Sequence, residues 1–255
     1  MFPPSLAPSS LDRLRSRIAT LEGTGRESVA GVISLGEAQV DAALPWGGLP
    51  LGCLHEVAPI LSPEGIEDGA ALGFAALLLG RLAAARGRPV LWVAARNDLY
   101  PPGLAGLGLA PERLLMVRPG PAAQGLWALE EAVRCAGLSG VLGEVRGIDF
   151  TAARRLQLAA RGSGVAALLL NRGQPCGPAV TRWRVGPAPG EGLSAEGGRS
   201  WRWRLELTHC RGRGAGEEGV VSAWTVEWCD EARGFRVATP ASDRSAGERA
   251  ARRAG

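Results

Sequence analysis

The side chains able to do chemistry in this 255-residue chain are few, and their spacing limits what they can do. There are two histidines, His55 and His209, little material for a histidine-built catalytic or metal site. The five cysteines, at 53, 135, 176, 210 and 229, form no Cys-x-x-Cys pair. That argues against a metal site or a disulfide framework and for reduced thiols, with Cys53 and Cys135 expected as buried packing. All 29 cationic side chains are arginine. Without lysine there is no Schiff-base amine and no phosphate loop that relies on a lysine of its own; an arginine-biased genome accounts for the absence as readily as function does. His55, beside Glu56, is expected to be a hydrogen-bonded structural residue. The densest chemistry lies between Arg182 and Arg213, where seven arginines (182, 184, 199, 202, 204, 211 and 213) stand against Glu191, Glu196 and Glu206, with Trp183, Trp201 and Trp203 interleaved. Arginines and aromatics on strands can grip a nucleic-acid backbone and stack its bases. They can equally anchor a protein interface, or form the solvated face of a strand whose other face is a core row of tryptophan. All three readings stay open at this level.

The elements that must position these residues follow from periodicity. In Leu11–Glu22, Leu11, Leu14, Ile18 and Leu21 make one apolar stripe of a short helix, free to pack on the main body or on a partner. Cys53–Ala58 reads as a strand, 60–68 as a loop, and Gly69–Gly87, rich in alanine and leucine and apolar nearly all round, as a buried helix. Pro89–Arg96 is a continuous apolar run of the kind buried on both faces of a parallel sheet. Leu114–Pro119, Gly140–Val145 and Gly164–Leu170 read as further strands, and Ala122–Ala136 and Asp149–Ala160 as helices. This alternation predicts an α/β domain with a mainly parallel sheet. After Asn171 the helices stop: Val180–Val185, Trp201–Cys210, Val220–Trp228 and Gly234–Ala238 read as strands, expected as antiparallel hairpins at the sheet edge. Three regions result: 1–30, a helix and linker; 31–238, the α/β domain with a β extension from about 179; and 239–255, a polar, arginine-rich tail expected to be disordered. No run of about 18 uninterrupted apolar residues marks a membrane span, and the proline-rich start lacks the order of a signal peptide, so the expected location is cytoplasmic.

The segment VISLGEAQVDAALPWGGLPLGCLHEVAP, from Val32 to Pro59, resembles the opening of the bacterial RecA core, in which a strand and a helix precede a GGLP-x-G turn and the first core strand runs to the nucleotide loop. Within that superfamily the chain is most similar to the ImuA family, RecA-like members of a bacterial mutagenesis cassette. The Trp-Arg-rich strand at Trp201–Gly212 and the S-x-W-x-x-E-W pattern that opens Ser222–Val237 agree. The resemblance spans roughly 30–240. It implies a RecA-like fold with the nucleotide loop between the first core strand and the buried helix. That loop reads ILSPEGIEDGAALG, with no G-x-x-x-x-G-K-[ST]. Glu64, Glu67 and Asp68 precede the helix, where they complement its dipole and repel a triphosphate. Where the resemblance places a catalytic glutamate, after the second core strand, stands Arg96. Where it places a magnesium-linked aspartate, on the fourth, stand Gly143 and Glu144, the latter without a lysine or hydroxyl partner. The polar-sensor position at the end of the fifth strand is Asn171. The loops equivalent to RecA's DNA-binding loops, Arg146–Asp149 and Arg172–Ala179, are short.

The resemblance therefore implies a protein that is not an enzyme and needs no cofactor or metal: an accessory factor in damage-induced translesion synthesis. It would dock on RecA or on an inactive polymerase-like partner, helping recruit an error-prone polymerase, with weak or indirect DNA contact and self-association open. The candidate surfaces are Leu11, Leu14 and Ile18, the residues Arg182, Trp183, Arg184, Trp201, Arg202, Trp203, Arg204, Arg211 and Arg213, and the tail arginines 244, 249, 252 and 253. Two other classes fit the same degenerate loop: a cell-division inhibitor of the SulA kind, and a divergent ATPase with arginine in place of the lysine.

Overall fold

The computed structural model describes residues 29–60, 69–94, 96, 99–120, 122–188, 201–213, 220–229 and 234–238. The Leu11–Glu22 stripe, Glu64, Glu67 and Asp68, Arg199 and the tail arginines lie outside the described residues. A nine-stranded sheet organises the rest, in the order β11-β10-β9-β8-β3-β7-β6-β4-β5. Its strands are β3 (Leu54–Pro59), β4 (Val90–Val93), β5 (Leu114–Val117), β6 (Gly140–Val145), β7 (Ala166–Asn171), β8 (Thr181–Pro187), β9 (Arg202–Cys210), β10 (Ser222–Cys229) and β11 (Gly234–Val237). Six of them, β8 to β5 in that order, pair in parallel, and β9, β10 and β11 continue antiparallel. The chain is thus α/β with a mostly parallel sheet and an antiparallel extension. One expectation needs correcting: the first extension strand, β8, is no edge hairpin. It pairs in parallel with β3 and antiparallel with β9, so it joins the two halves.

A small ribbon precedes the sheet. β1 (Val32–Ile33) pairs antiparallel with β2 (Leu49–Pro50), and a short helix, α1 (Ala38–Ala42), connects them. The glycine pair before β2 is required by this closure: Gly48 has φ +156°, and a Cβ there would meet the Ile33 carbonyl oxygen at 2.5 Å. Glu37 caps α1 through Oε1, which accepts from the Gln39 N–H, while its Oε2 accepts from the Val237 N–H, tying the start of the described chain to the last strand.

Long helices cover the parallel half on both faces. On one side lies α2 (Gly69–Arg86), in contact with β3, β4, β6, β7 and β8. It has the length and apolarity to cross a membrane by composition, yet eleven of its residues are buried in the core. Gly80 lets it pass against the Gly108 backbone. Phe74 stacks near Trp183 and Phe235, at centroid distances of 5.7 and 6.1 Å, under the antiparallel half. A short helix, α3 (Pro101–Leu104), lies between β4 and β5. On the opposite face α4 (Ala122–Arg134) and α5 (Phe150–Ser163) pack together and on β3, β4, β6 and β7. Asp149 caps α5, its carboxylate accepting from the Ala152 N–H at 2.8 Å. Of the thiols, Cys53, Cys176 and Cys210 are buried. Cys135 is exposed, contrary to expectation, because it stands just past the end of α4 in a surface turn.

Candidate functional site

Parallel sheets present ligands at the carboxyl ends of their strands, and this end of the molecule holds two carboxylates that bulk water barely reaches. Glu144, near the end of β6, has a side chain only 2% exposed. The Trp92 indole N–H donates to its Oε1 at 3.0 Å, and the Arg172 guanidinium, just past β7, donates to Oε2 at 3.1 Å. The sequence offers Glu144 no lysine or hydroxyl partner, and its two partners are instead an indole and an arginine, on strands packed beside its own or just beyond them. Two donors thus orient this carboxyl group, one of them a guanidinium. Beside it, a cavity of about 290 Å³ opens between Val93, Leu126, Leu129, Gly143, Arg146 and the turn at Pro119–Gly120.

The second carboxylate is Glu56, on β3. Arg182 donates to it from the neighbouring β8 through Nε at 2.8 Å, Asn171 from β7 through Nδ2 at 2.7 Å, and the Cys176 backbone N–H at 3.0 Å. Arg182 also donates to the Cys176 carbonyl at 2.6 Å, and Asn171 to that of Gln174 at 2.7 Å. The loop that follows β7 is therefore pinned over β3 by three side chains, and Asn171 works as its clasp. The Cys176 thiol in this loop is pushed up to about 11, by burial first and by the Glu56 charge second.

His55 points to the other face of β3. It is fully buried: Nε2–H donates to the Pro50 carbonyl at 2.9 Å, and Nδ1 accepts from the Thr181 hydroxyl at 2.8 Å, which itself accepts from the Trp183 indole N–H at 3.0 Å. Burial drives its pKa down to about 4, against a smaller upward effect of the Pro50 carbonyl. It is a neutral structural group, as its position beside Glu56 suggested.

The Arg/Trp segment is resolved by β alternation. Trp183 and Trp203 face α2 and the core, at 0% and 9% exposure. That burial removes both from any docking surface. The arginines point to the opposite side. On that face Arg184 of β8 stands opposite Glu206 of β9, and Arg202 of β9 opposite Glu227 of β10, which is opposite Arg236 of β11. Glu206 accepts from Arg204 Nε at 2.7 Å and pairs with Arg184 at 3.8 Å; Glu227 accepts from Arg202 at 3.0 Å. The Arg204 and Arg184 side chains remain 59% and 44% exposed. Trp201, also exposed, precedes β9 on the tryptophan side of its alternation. Arg211 and Arg213 are structural at the far end of β9: they donate to the carbonyls of Pro178 and Ala42, at 3.2 and 3.1 Å. Periodicity contained the signal that Trp and Arg part to opposite faces. It held no sign of Arg236, whose place is set by the β10–β11 register.

No family model matches the chain. Two curated relatives do, the proteins named ImuA of Caulobacter vibrioides strains NA1000 / CB15N and ATCC 19089 / CIP 103742 / CB 15. Each is 37% identical over 238 residues, a span that covers 86% of this chain and 93% of the relative.

Proposed function

The chain belongs to the ImuA family, and from that premise we propose that it is a non-catalytic, RecA-like accessory protein of damage-induced translesion synthesis. It acts in the cytoplasm by docking on RecA or on a polymerase-like partner and helping recruit an error-prone polymerase. Kinship at 37% identity along nearly the whole chain carries this reading. The architecture supports the RecA-like part of it: a first core strand, β3, leads through residues 60–68 to a long buried helix, and an antiparallel extension follows the parallel strands. The accessory part is supported by the groups where a nucleotide-hydrolysing relative would work. The sequence supplies no lysine, Arg96 follows β4, and Glu144 is already engaged by Arg172 and Trp92. Positioning and neutralising phosphate charge is most of what such a site does, and the sequence between β3 and α2 lacks the G-x-x-x-x-G-K-[ST] pattern that does both.

Calorimetric titration with a non-hydrolysable ATP analogue and magnesium tests the non-catalytic claim: no binding is expected at millimolar ligand, and micromolar binding would overturn it. Co-purification with RecA and with the inactive polymerase-like partner that the family resemblance implies tests the docking claim. Retention of at least one is expected; retention of neither removes it.

A further inference from the structure

We propose that the arginine face of the antiparallel half is a docking surface for an acidic helix of a partner protein. The inference rests on the accessory role above and names the chemistry of the partner. On one side of the sheet α4 and α5 form a helical layer over β3, β4, β6 and β7. The same side of β8 to β11 carries Arg184, Arg204, Ala223, Thr225 and Arg236 as exposed or half-exposed side chains. Four strands spaced by about 4.8 Å leave roughly 14 Å from β8 to β11, the width of one helix of about 10 Å. Among the described residues neither long helix of that layer extends over these strands, so the face continues the α4–α5 layer.

Charge says what would fill it. On the rows described, Arg184, Arg202, Arg204 and Arg236 stand over two carboxylates, Glu206 and Glu227. Arg204 engages Glu206 through Nε, and Arg184 shares that same carboxylate at a longer 3.8 Å. The carboxylates orient the guanidinium groups without cancelling them, and the net positive charge faces outward. Diagonal neighbours on a sheet lie about 7–8 Å apart, a spacing that glutamates at i and i+4 on a helix can meet with their flexible side chains. Arginine forks bind carboxylates in two-point geometry. A single-stranded nucleic acid would call for stacking platforms beside the cations. Among the described residues the face has none, because Trp183, Trp203 and Trp224 pack on the core side.

Binding is measured by fluorescence anisotropy on the full chain and on the R184A/R204A/R236A variant, at low and at high salt. Three labelled probes are used: a 20-residue helical peptide with glutamates at i and i+4 along one face, its glutamine counterpart, and oligo(dT). The glutamate peptide is expected to bind, with affinity lowered at least tenfold by glutamine replacement, by high salt and by the triple substitution. An R184K/R204K/R236K variant, which keeps the charge, should retain part of the binding and shows that the surface itself is intact. Equal binding of the glutamate peptide to both chains would overturn the proposal. So would a loss confined to oligo(dT), which would make the face a nucleic-acid surface. A polymerase-like partner that binds the triple variant as well as the parent would sink this assignment while leaving the accessory role standing.

Discussion

His55 makes the stability of this protein depend on pH in a window where few other groups titrate. Its imidazole is neutral in the folded state, with a pKa of about 4 against 6.5 when unfolded. The unfolded chain therefore takes up a proton below pH 6.5 that the folded chain refuses until pH 4. Stability from this source is complete above pH 6.5 and lost as pH falls through the window. With about 1.4 kcal/mol per pH unit, the loss is about 1.4 kcal/mol at pH 5.5 and levels off near 3 kcal/mol below pH 4. The groups facing the ring are the Pro50 carbonyl and the Thr181 hydroxyl; Glu56 and Arg182 lie on the other side of the sheet. Urea unfolding at pH 7.5, 6.5 and 5.5 measures the effect, and at a slope of about 2–3 kcal/mol per molar urea the midpoint should fall by roughly half a molar. His55→Gln, which cannot titrate, should begin less stable at pH 7.5 and lose less than the parent down to pH 5.5, the remaining fall coming from His209, whose pKa burial and the Arg182 and Arg211 charges also lower. If the parent and the variant fall by the same amount, His55 is not the group responsible and the burial argument is wrong.

Other consequences are as direct. Gly80→Ala puts a Cβ at 2.8 Å from the Gly108 backbone, which cannot yield, so it should destabilise by about 1–3 kcal/mol in urea despite alanine's higher helix propensity. Gly162→Ala, with open space around its Cβ near the end of α5, should instead stabilise by up to about 1 kcal/mol. Iodoacetamide at pH 8 should label exposed Cys135 quickly. It should spare Cys53, Cys176 and Cys210, whose thiols burial raises to about 11, 11 and 12, until urea unfolds the chain, as peptide mass mapping will show. Arg172→Leu should cost about 3–5 kcal/mol by leaving Glu144 buried beside Trp92 alone, whereas Arg172→Leu with Glu144→Leu should recover most of it; equal losses in the single and double variants would refute the pairing.

Much of the architecture was legible because its determinants are local. The unbroken apolar runs at Val90–Val93 and Ala166–Leu170, too short for a buried helix, fit strands covered on both faces, and Asp149 announces α5 three residues before the N–H it caps. The sheet order is another matter. Nothing in Thr181–Pro187 says that it lies parallel to β3 rather than in a hairpin, since that pairing is settled by Trp183 and Val185 packing on α2. The site was read less well for the same reason. Arg172 and Glu144 are 28 residues apart, Glu56 and Arg182 126, and only the strand order makes neighbours of them. Trp and Arg alternation was visible at 201–204, but which of the two faces the core depends on the side α2 takes.

The two carboxylates at the carboxyl end of the parallel strands are each answered by an arginine from an adjoining strand or the loop beyond it: Glu56 by Arg182 across the β3–β8 pair, Glu144 by Arg172 just past β7. Removing one member of such a pair costs far more than the pair contributes, so each arginine is bound to its place by the carboxylate it serves. Arg182 and Arg172 are then structural cations with little charge left for a ligand. Arg184 and Arg204 differ because their own side chains lie on an open face: Glu206 is itself buried, yet it serves both of these half-exposed or exposed arginines, so losing either one leaves it a partner. Arg236, exposed on β11, stands opposite Glu227. Single substitutions at 184, 204 or 236 can therefore change binding while the fold holds, whereas removing Arg184 and Arg204 together leaves the buried Glu206 without them, so the triple alanine variant is read only beside its urea midpoint. That separation decides how the chain should be dissected. Variants at 172 and 182 report on folding, and variants at 184, 204 and 236 report on docking; an effect on partner binding from the first group means nothing until the protein is shown to be folded.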